Sequence, residues 1–186
     1  MTDLGLLILR LVTGPLLVGH GTQKLFGWFG GHGLKGTVGW VESLGLAPPR
    51  LWAVLAGLTE SISGGLTALG LFHPLGPIVM FAPMSMALAK VHWGKPIWVA
   101  SGGGELPITN MAIATSQILT GPGRLSLDRA LGVKLPWPAV ALGAGVIGTG
   151  IALGLASRPL PRPVSEERLA GELRSQPQHA TEVRTT

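Results

Sequence analysis

Leu4–Lys24 reads LGLLILRLVTGPLLVGHGTQK, and its reading decides the fold. About 20 predominantly apolar residues are what a bilayer core demands of a helix, and this stretch supplies them. The preceding MTD carries Asp3 where a signal peptide would carry cations, and no small-x-small cleavage site follows at a suitable distance. The segment is therefore read as a retained transmembrane helix. Arg10, Thr13, Leu17, His20 and Lys24 succeed one another at spacings of three and four, which places them on one stripe that must face protein or water rather than lipid. Pro15 is tolerable inside such a helix.

The rest of the chain has the same character. Of its 186 residues 46% are hydrophobic and 12% charged, and the apolar residues come in long runs. Mean hydropathy is +0.45. This composition excludes an ordinary soluble enzyme and predicts an integral membrane protein in contact with the lipid bilayer. The net charge of +5 and the arginines after Ser157 are read as a topology signal, with no nucleic-acid partner. With no cysteine, disulfide, CxxC and thiolate-metal chemistry are all excluded. Any redox role would need a bound cofactor or another subunit.

Downstream of the first span, residues 30–48 are too glycine-rich to cross a membrane. Leu34, Val38, Val41 and Leu44 nevertheless recur at helical spacing, which predicts a re-entrant or interfacial helix. Pro48 and Pro49 lead into a second span over 51–72 with Glu60 near its centre. Ala53, Gly57, Ser61 and Gly65 recur every four residues there, a face along which another helix can approach closely. A third span is expected over 78–93, ending in Lys90 and His92, and a fourth over 105–119. In the fourth, Asn110 and Gln117, seven apart, share an inward face. Ser126 is placed to cap a short helix over 127–131, and a charge-free apolar run follows at 137–156. From 157 to 186 the chain turns to Arg, Pro, Glu and Gln, a composition that predicts disorder.

The expected architecture is an all-α integral membrane protein: a four-helix transmembrane bundle over 1–132, an additional C-terminal transmembrane helix over 133–156, and an Arg-rich tail over 157–186. Alternating spans put Trp28, Trp40, Trp52, Trp93 and Trp98 at one membrane face, where indoles prefer the interface, and Trp137 at the other. Lys24, Lys35, Arg50, Lys95 and the tail share the tryptophan-rich face, so positive-inside counting gives a multi-pass cell-membrane protein with a cytoplasmic tail. Arg124, Arg129 and Lys134 count against this orientation.

The same threading directs His20, Gln23, Lys24, Lys90, His92 and Glu105 to one end of the bundle, with Glu60, Asn110 and Arg10 deeper inside. An ion at mid-membrane costs about 2.5–3.5 kcal/mol on insertion scales, so Arg10 and Glu60 each require a partner and could satisfy one another. That ion pair competes with a role in proton or ligand handling. His20 and His92 can equally be interfacial histidines bonded to carbonyls, and Lys90 can snorkel. His20, His92, Glu60 and Glu105 come from four segments with no local spacing motif, so no metal is expected. No strand precedes LFGWFGGHG, which rules it out as a phosphate loop; its glycines allow a tight turn and close approach of a head group, a quinone or a partner.

Four motifs in order carry a family resemblance: HGTQKLFGWFGGHG at 20–33, GLTESISGGLTALGL at 57–71, AKVHWG at 89–94, and ELPITNM at 105–111 followed by GPGRLSLD at 121–128. Together they resemble the DoxX family of small bacterial and archaeal membrane proteins, over about residues 4–128. The resemblance implies a four-helix membrane bundle and a link to membrane-associated redox complexes, since the family shares its name with subunits of a thiosulfate:quinone oxidoreductase. The span at 137–156 and the tail lie beyond it.

On that basis the leading expectation is a redox-associated membrane subunit, if an enzyme then part of a quinone-linked oxidoreductase, with a soluble or membrane partner protein carrying electrons. His20 or His92 would bond a quinone carbonyl and Glu60 would handle the proton, with Gln23, Lys24, Glu105 and Asn110 lining the ligand site. Alternatives are a non-catalytic scaffold for a soluble enzyme and a small transporter or lipid-handling protein. Association into a homo-oligomer is left open.

Overall fold

A computed structural model describes residues 1–158 of the chain, and every described regular element is helical. The tail from 159 to 186, including the expected disorder, lies outside the described residues. Helix α1 (Thr2–Phe26) runs through Pro15 without a break and stops at Gly27, whose left-handed φ of 75° lets its N–H return to the Gln23 carbonyl. Within α1, Thr13 and Thr22 donate their hydroxyl protons to carbonyls one turn back, at 2.7 Å from Leu9 O and 3.0 Å from Val18 O. Polar side chains are thus satisfied without leaving the helix, as an apolar environment requires.

After the short turn Trp28–Gly30 the chain folds back on α1. A Cβ at Gly31 would stand 2.5 Å from the Gln23 carbonyl, so this reversal needs glycine. Helix α2 (Gly33–Ser43) buries Thr37 and Val41. The Thr37 hydroxyl lies 2.8 Å from Gly33 O and 3.0 Å from Lys24 O, fastening α2 to the end of α1. Leu34, Val38, Leu44, Trp52 and Met86 close around Val41, Leu46 and Ala53.

Helix α3 (Pro49–Leu69) lies antiparallel against α1, and glycines set the separation. Gly14 faces Gly64 and Ala68, and Gly21 faces Gly57 and Ser61; an added Cβ at Gly14 would sit 2.6 Å from the Ala68 Cβ. The close-contact face is thus Gly57, Ser61, Gly64 and Ala68. A Cβ at Gly65 would meet nothing within 4 Å. Steps of four residues drift by about 40° each on a 3.6-residue helix, whereas seven residues return to almost the same direction.

Helix α4 (Leu75–Met86) continues through a π-helical turn (Ala87–His92) and touches α3, α5 (Glu105–Thr120) and α7 (Trp137–Ala156). Leu17, Met80, Met84 and Ala114 join α1, α4 and α5 in a small apolar core, with Phe81 and Met111 packed against it. Helix α6 (Leu127–Leu131) begins at Ser126, whose hydroxyl accepts the Arg129 N–H at 3.3 Å. Helix α7 runs parallel to α4, with Gly143 on Leu75 and Gly154 on Met86 and Trp52. Lys90 Nζ, 3.4 Å from the Leu155 and Ser157 carbonyls, supplies protons to the open end of α7. That lysine holds helices together rather than simply reaching for water.

Among the described residues three helices are long and apolar enough to cross a membrane: Thr2–Phe26, Leu75–His92 and Trp137–Ala156, with mean hydropathies of 1.5, 1.3 and 2.0. Leu4, Ile8, Leu11, Val12 and Leu16 of α1 and Leu142, Val146 and Leu153 of α7 are exposed, an apolar exterior suited to lipid. Trp28, Trp40, Trp93 and Trp98 are exposed at the end of the bundle where α1 finishes, and Trp137 at the end where α1 starts.

Candidate functional site

Glu60, 7% exposed, projects from the middle of α3 toward α1, where Lys24 meets its Oε2 in an ion pair. Side chains on a helix lean toward its N-terminus, so Lys24 reaches down from the end of α1 to the level of Glu60. The pairing differs from the Arg10–Glu60 ion pair that was one of the two alternatives read from the sequence. Arg10 lies nearer the start of α1, by the loop at Leu125.

His20 does not join this pair: it is exposed on the outer side of α1. The buried residues of α1 are Arg10, Thr13, Gly14, Leu17, Gly21 and Thr22. Both stripes, through Thr13 and His20 or through Gly14 and Gly21, have helical spacing. The glycine stripe is the one that admits the α3 backbone, and it turns His20 outward.

The remaining nominated residues are tied to their own chain. Gln23 donates to Phe29 O at 3.2 Å and holds the turn after α1. His92 Nδ1 lies 2.7 Å from Gly102 O, a bond that requires a proton on Nδ1 and, in the neutral ring, leaves Nε2 as an acceptor. Glu105 Oε2 accepts the Val99 N–H at 2.9 Å. His92 and Glu105 together fasten the segment between α4 and α5. Asn110 is half-buried on the α5 face that also carries Pro107, Ala114 and Gln117. The structure therefore joins Lys24 to Glu60 and does not collect His20, His92 and Glu105 around them. Among the described residues no three His, Asp or Glu side chains stand together as metal ligands.

A second polar cluster occupies the opposite end of the bundle. Asp128, on α6, is buried and accepts two backbone N–H groups, from Phe72 at 2.8 Å and His73 at 2.7 Å. Those two bonds hold Phe72 at a left-handed φ of 53°, a conformation costly for a bulky residue. The Asp128 N–H in turn donates to Gly70 O at 3.1 Å. Asp3 Oδ1 accepts the Arg124 N–H at 2.7 Å, tying the chain start to the same loop. Burial pushes the His73 imidazole below its usual value, opposed by the Asp128 carboxylate and the Ile118 carbonyl and aided by Arg10. A cleft of about 460 Å³ opens here between Asp3, Arg124, Arg129 and Lys134. Sequence reasoning assigned this cluster no role. Its one local signal was Asp128, two residues after the Ser126 cap within GPGRLSLD.

Comparison with curated proteins and with solved structures returned no match for the chain. The DoxX family model matches residues 5–93, from α1 through the π turn to Trp93. The motifs at 20–33 and 57–71 fall inside that match and AKVHWG falls inside it up to Trp93, whereas ELPITNM and GPGRLSLD lie beyond it. A glycine-faced pair of antiparallel helices and an apolar exterior make this a helical membrane protein, and its residues 5–93 match the DoxX family model.

Proposed function

We propose that the chain is a non-catalytic multi-pass membrane subunit, which seats a partner in the bilayer. One observation supports this reading: the side chains best suited to chemistry are spent on the chain's own structure. Glu60 is neutralised by Lys24, His92 binds Gly102 O, and Glu105 binds Val99 N. The full arrangement under this proposal has all of α1, α3, α4, α5 and α7 crossing the bilayer, with the tail in the cytoplasm. Since the sequence has no cysteine, single cysteines placed at Trp28, Trp98, Leu131 and Arg158 can be labelled in intact cells without background. Labelling of Leu131→Cys alone from outside is the expected pattern; labelling of Arg158→Cys from outside would refute a cytoplasmic tail. Affinity capture from native membrane should recover a fixed stoichiometric partner, and a chain recovered alone in active membranes would refute the subunit reading.

A quinone site is the second reading, favoured by the free acceptor on His92 Nε2 at the membrane end that also holds Lys24 and Glu60. A quinol hydroxyl would donate to Nε2, with the Lys24–Glu60 pair accepting or returning a proton. His20, on the outer side of α1, is no longer part of that proposal. Titration of a quinone analogue into wild type and His92→Ala tests it: tenfold weaker binding by the variant supports the site, and equal binding removes it.

A further inference from the structure

Arg10, Thr67 and Gln117 come from α1, α3 and α5, and each is 2% exposed. Arg10 donates from Nη2 to Leu125 O, but its Nε and Nη1 have no partner, and neither do Thr67 Oγ1 or Gln117 Nε2. All three residues line one small cavity of about 10 Å³, together with Gly70, His73 and Gly121. Four unmet polar atoms on three residues lining one small hole call for a common explanation, because buried polar groups are almost always hydrogen-bonded.

The chemistry of the lining selects the occupant. Guanidinium N–H groups and an amide NH₂ only donate, and the Thr67 hydroxyl can donate as well. Among the described residues no carboxylate lies within ion-pair distance of Arg10, since Lys24–Glu60 is the pair that forms. Asp128 directs its two oxygens to the Phe72 and His73 N–H groups. Beyond the Leu125 carbonyl, the guanidinium therefore has no acceptor and no countercharge among the described residues. A water molecule accepts two hydrogen bonds at most and leaves the charge uncompensated, whereas an anion accepts from every donor and neutralises it. A hole of about 10 Å³ has room for about one small group, which favours a monatomic ion over phosphate or sulfate. Gly121 and Pro122 also line the open cleft, where Arg124, Arg129 and Lys134 outnumber Asp3 and Asp128, so a cleft of net positive charge adjoins the hole.

We propose that Arg10, Thr67 and Gln117 form a buried binding site for a halide-sized monovalent anion, which joins α1, α3 and α5 at the end of the bundle that carries α6. The ion would act as a structural counterion beneath the loop at 121–126.

The probe is bromide. Full-length protein in nanodiscs, exchanged into gluconate, should show a thermal midpoint that rises with bromide and saturates at constant ionic strength. Thr67→Val and Gln117→Leu, which preserve side-chain volume, should weaken the bromide effect at least tenfold while keeping the gluconate midpoint close to wild type. Crystals grown in bromide should carry an anomalous peak between Arg10 and Gln117. Equal midpoints in gluconate and bromide, an unsaturable rise, a rise undiminished in both variants, or a peak without anomalous signal would each overturn the site. The last result would identify a water. Should a variant fail to fold, the wild-type saturation curve and the anomalous map decide alone.

Discussion

Lys24 and Glu60 meet between α1 and α3 as charge against charge, whereas Arg10, 14 residues and about 21 Å earlier on the same helix, faces neutral donors and one carbonyl. Both cations are on the face of α1 that meets α3. The difference lies in what the opposing helix presents at each level: Glu60 opposite one, Thr67 and the Gly70 turn opposite the other. The pair is complete by itself, whereas the arginine has no countercharge among the described residues. The Asp128 turn stands beside the second case as a contrast, since a carboxylate there is satisfied entirely by backbone N–H groups.

Changing the shared wall should have the largest effect. Gly21→Leu would drive a side chain into Ser61 and the Gly57 carbonyl and separate α1 from α3. A loss of about 3 kcal/mol or more is expected, seen as loss of monodisperse protein on size exclusion. Gly65→Leu, in open space on the same helix, should change stability by less than about 0.5 kcal/mol. If the two variants behave alike, the glycine face assigned to α3 is wrong.

Breaking the pair comes next. Lys24→Met leaves Glu60 buried without a cation and should cost about 2–3 kcal/mol, below the usual range for buried pairs because the Lys24 side chain is 22% exposed. Combining it with Glu60→Leu should recover most of the loss. Arg10→Met removes an uncompensated charge along with its bond to Leu125 O, so in gluconate it should cost less than about 1 kcal/mol. Reversible unfolding in mixed micelles measures all three, and an Arg10 loss equal to that of Lys24 would erase the contrast drawn above.

Asp128→Asn should cost about 1.5–3 kcal/mol, because an amide cannot accept both the Phe72 and His73 N–H groups with a full charge. Hydrogen exchange at Phe72 and His73 should accelerate in the variant, and unchanged exchange would show that the turn holds without the carboxylate. The smallest effect expected is a pH slope. Burial lowers His73 below 6.5 in the folded state, so the unfolded chain takes up the proton first. That contribution is complete above pH 6.5 and is lost as pH falls toward the lowered folded value. His73→Gln should flatten this part of the stability profile, and an unaltered slope would assign it to another group.

Much of the helical layout was legible in the residues. Apolar runs placed the long helices to within a few residues of where they lie: 51–72 was read for Pro49–Leu69, and 78–93 for Leu75–His92. Ser126 marked the start of α6 because a cap acts over three residues. The candidate site was much less legible. A polar stripe through His20 and one through Gly21 satisfy the same periodicity, and only the approach of α3 separates them. The partner of Glu60 depended on how far α1 and α3 slide past each other, which no local pattern encodes. Asp128 acquired its role from a turn 55 residues away.

The sequence by itself determined that this is a helical membrane protein whose residues 5–93 resemble the DoxX family, because run length, hydropathy and short motifs are local properties of a chain in lipid. Only the tertiary structure decided which charges meet. Helix register and rotation are fixed by close backbone contact at Gly14, Gly21, Gly57 and Gly64, and a shift of one residue there would give every ionisable side chain a different neighbour.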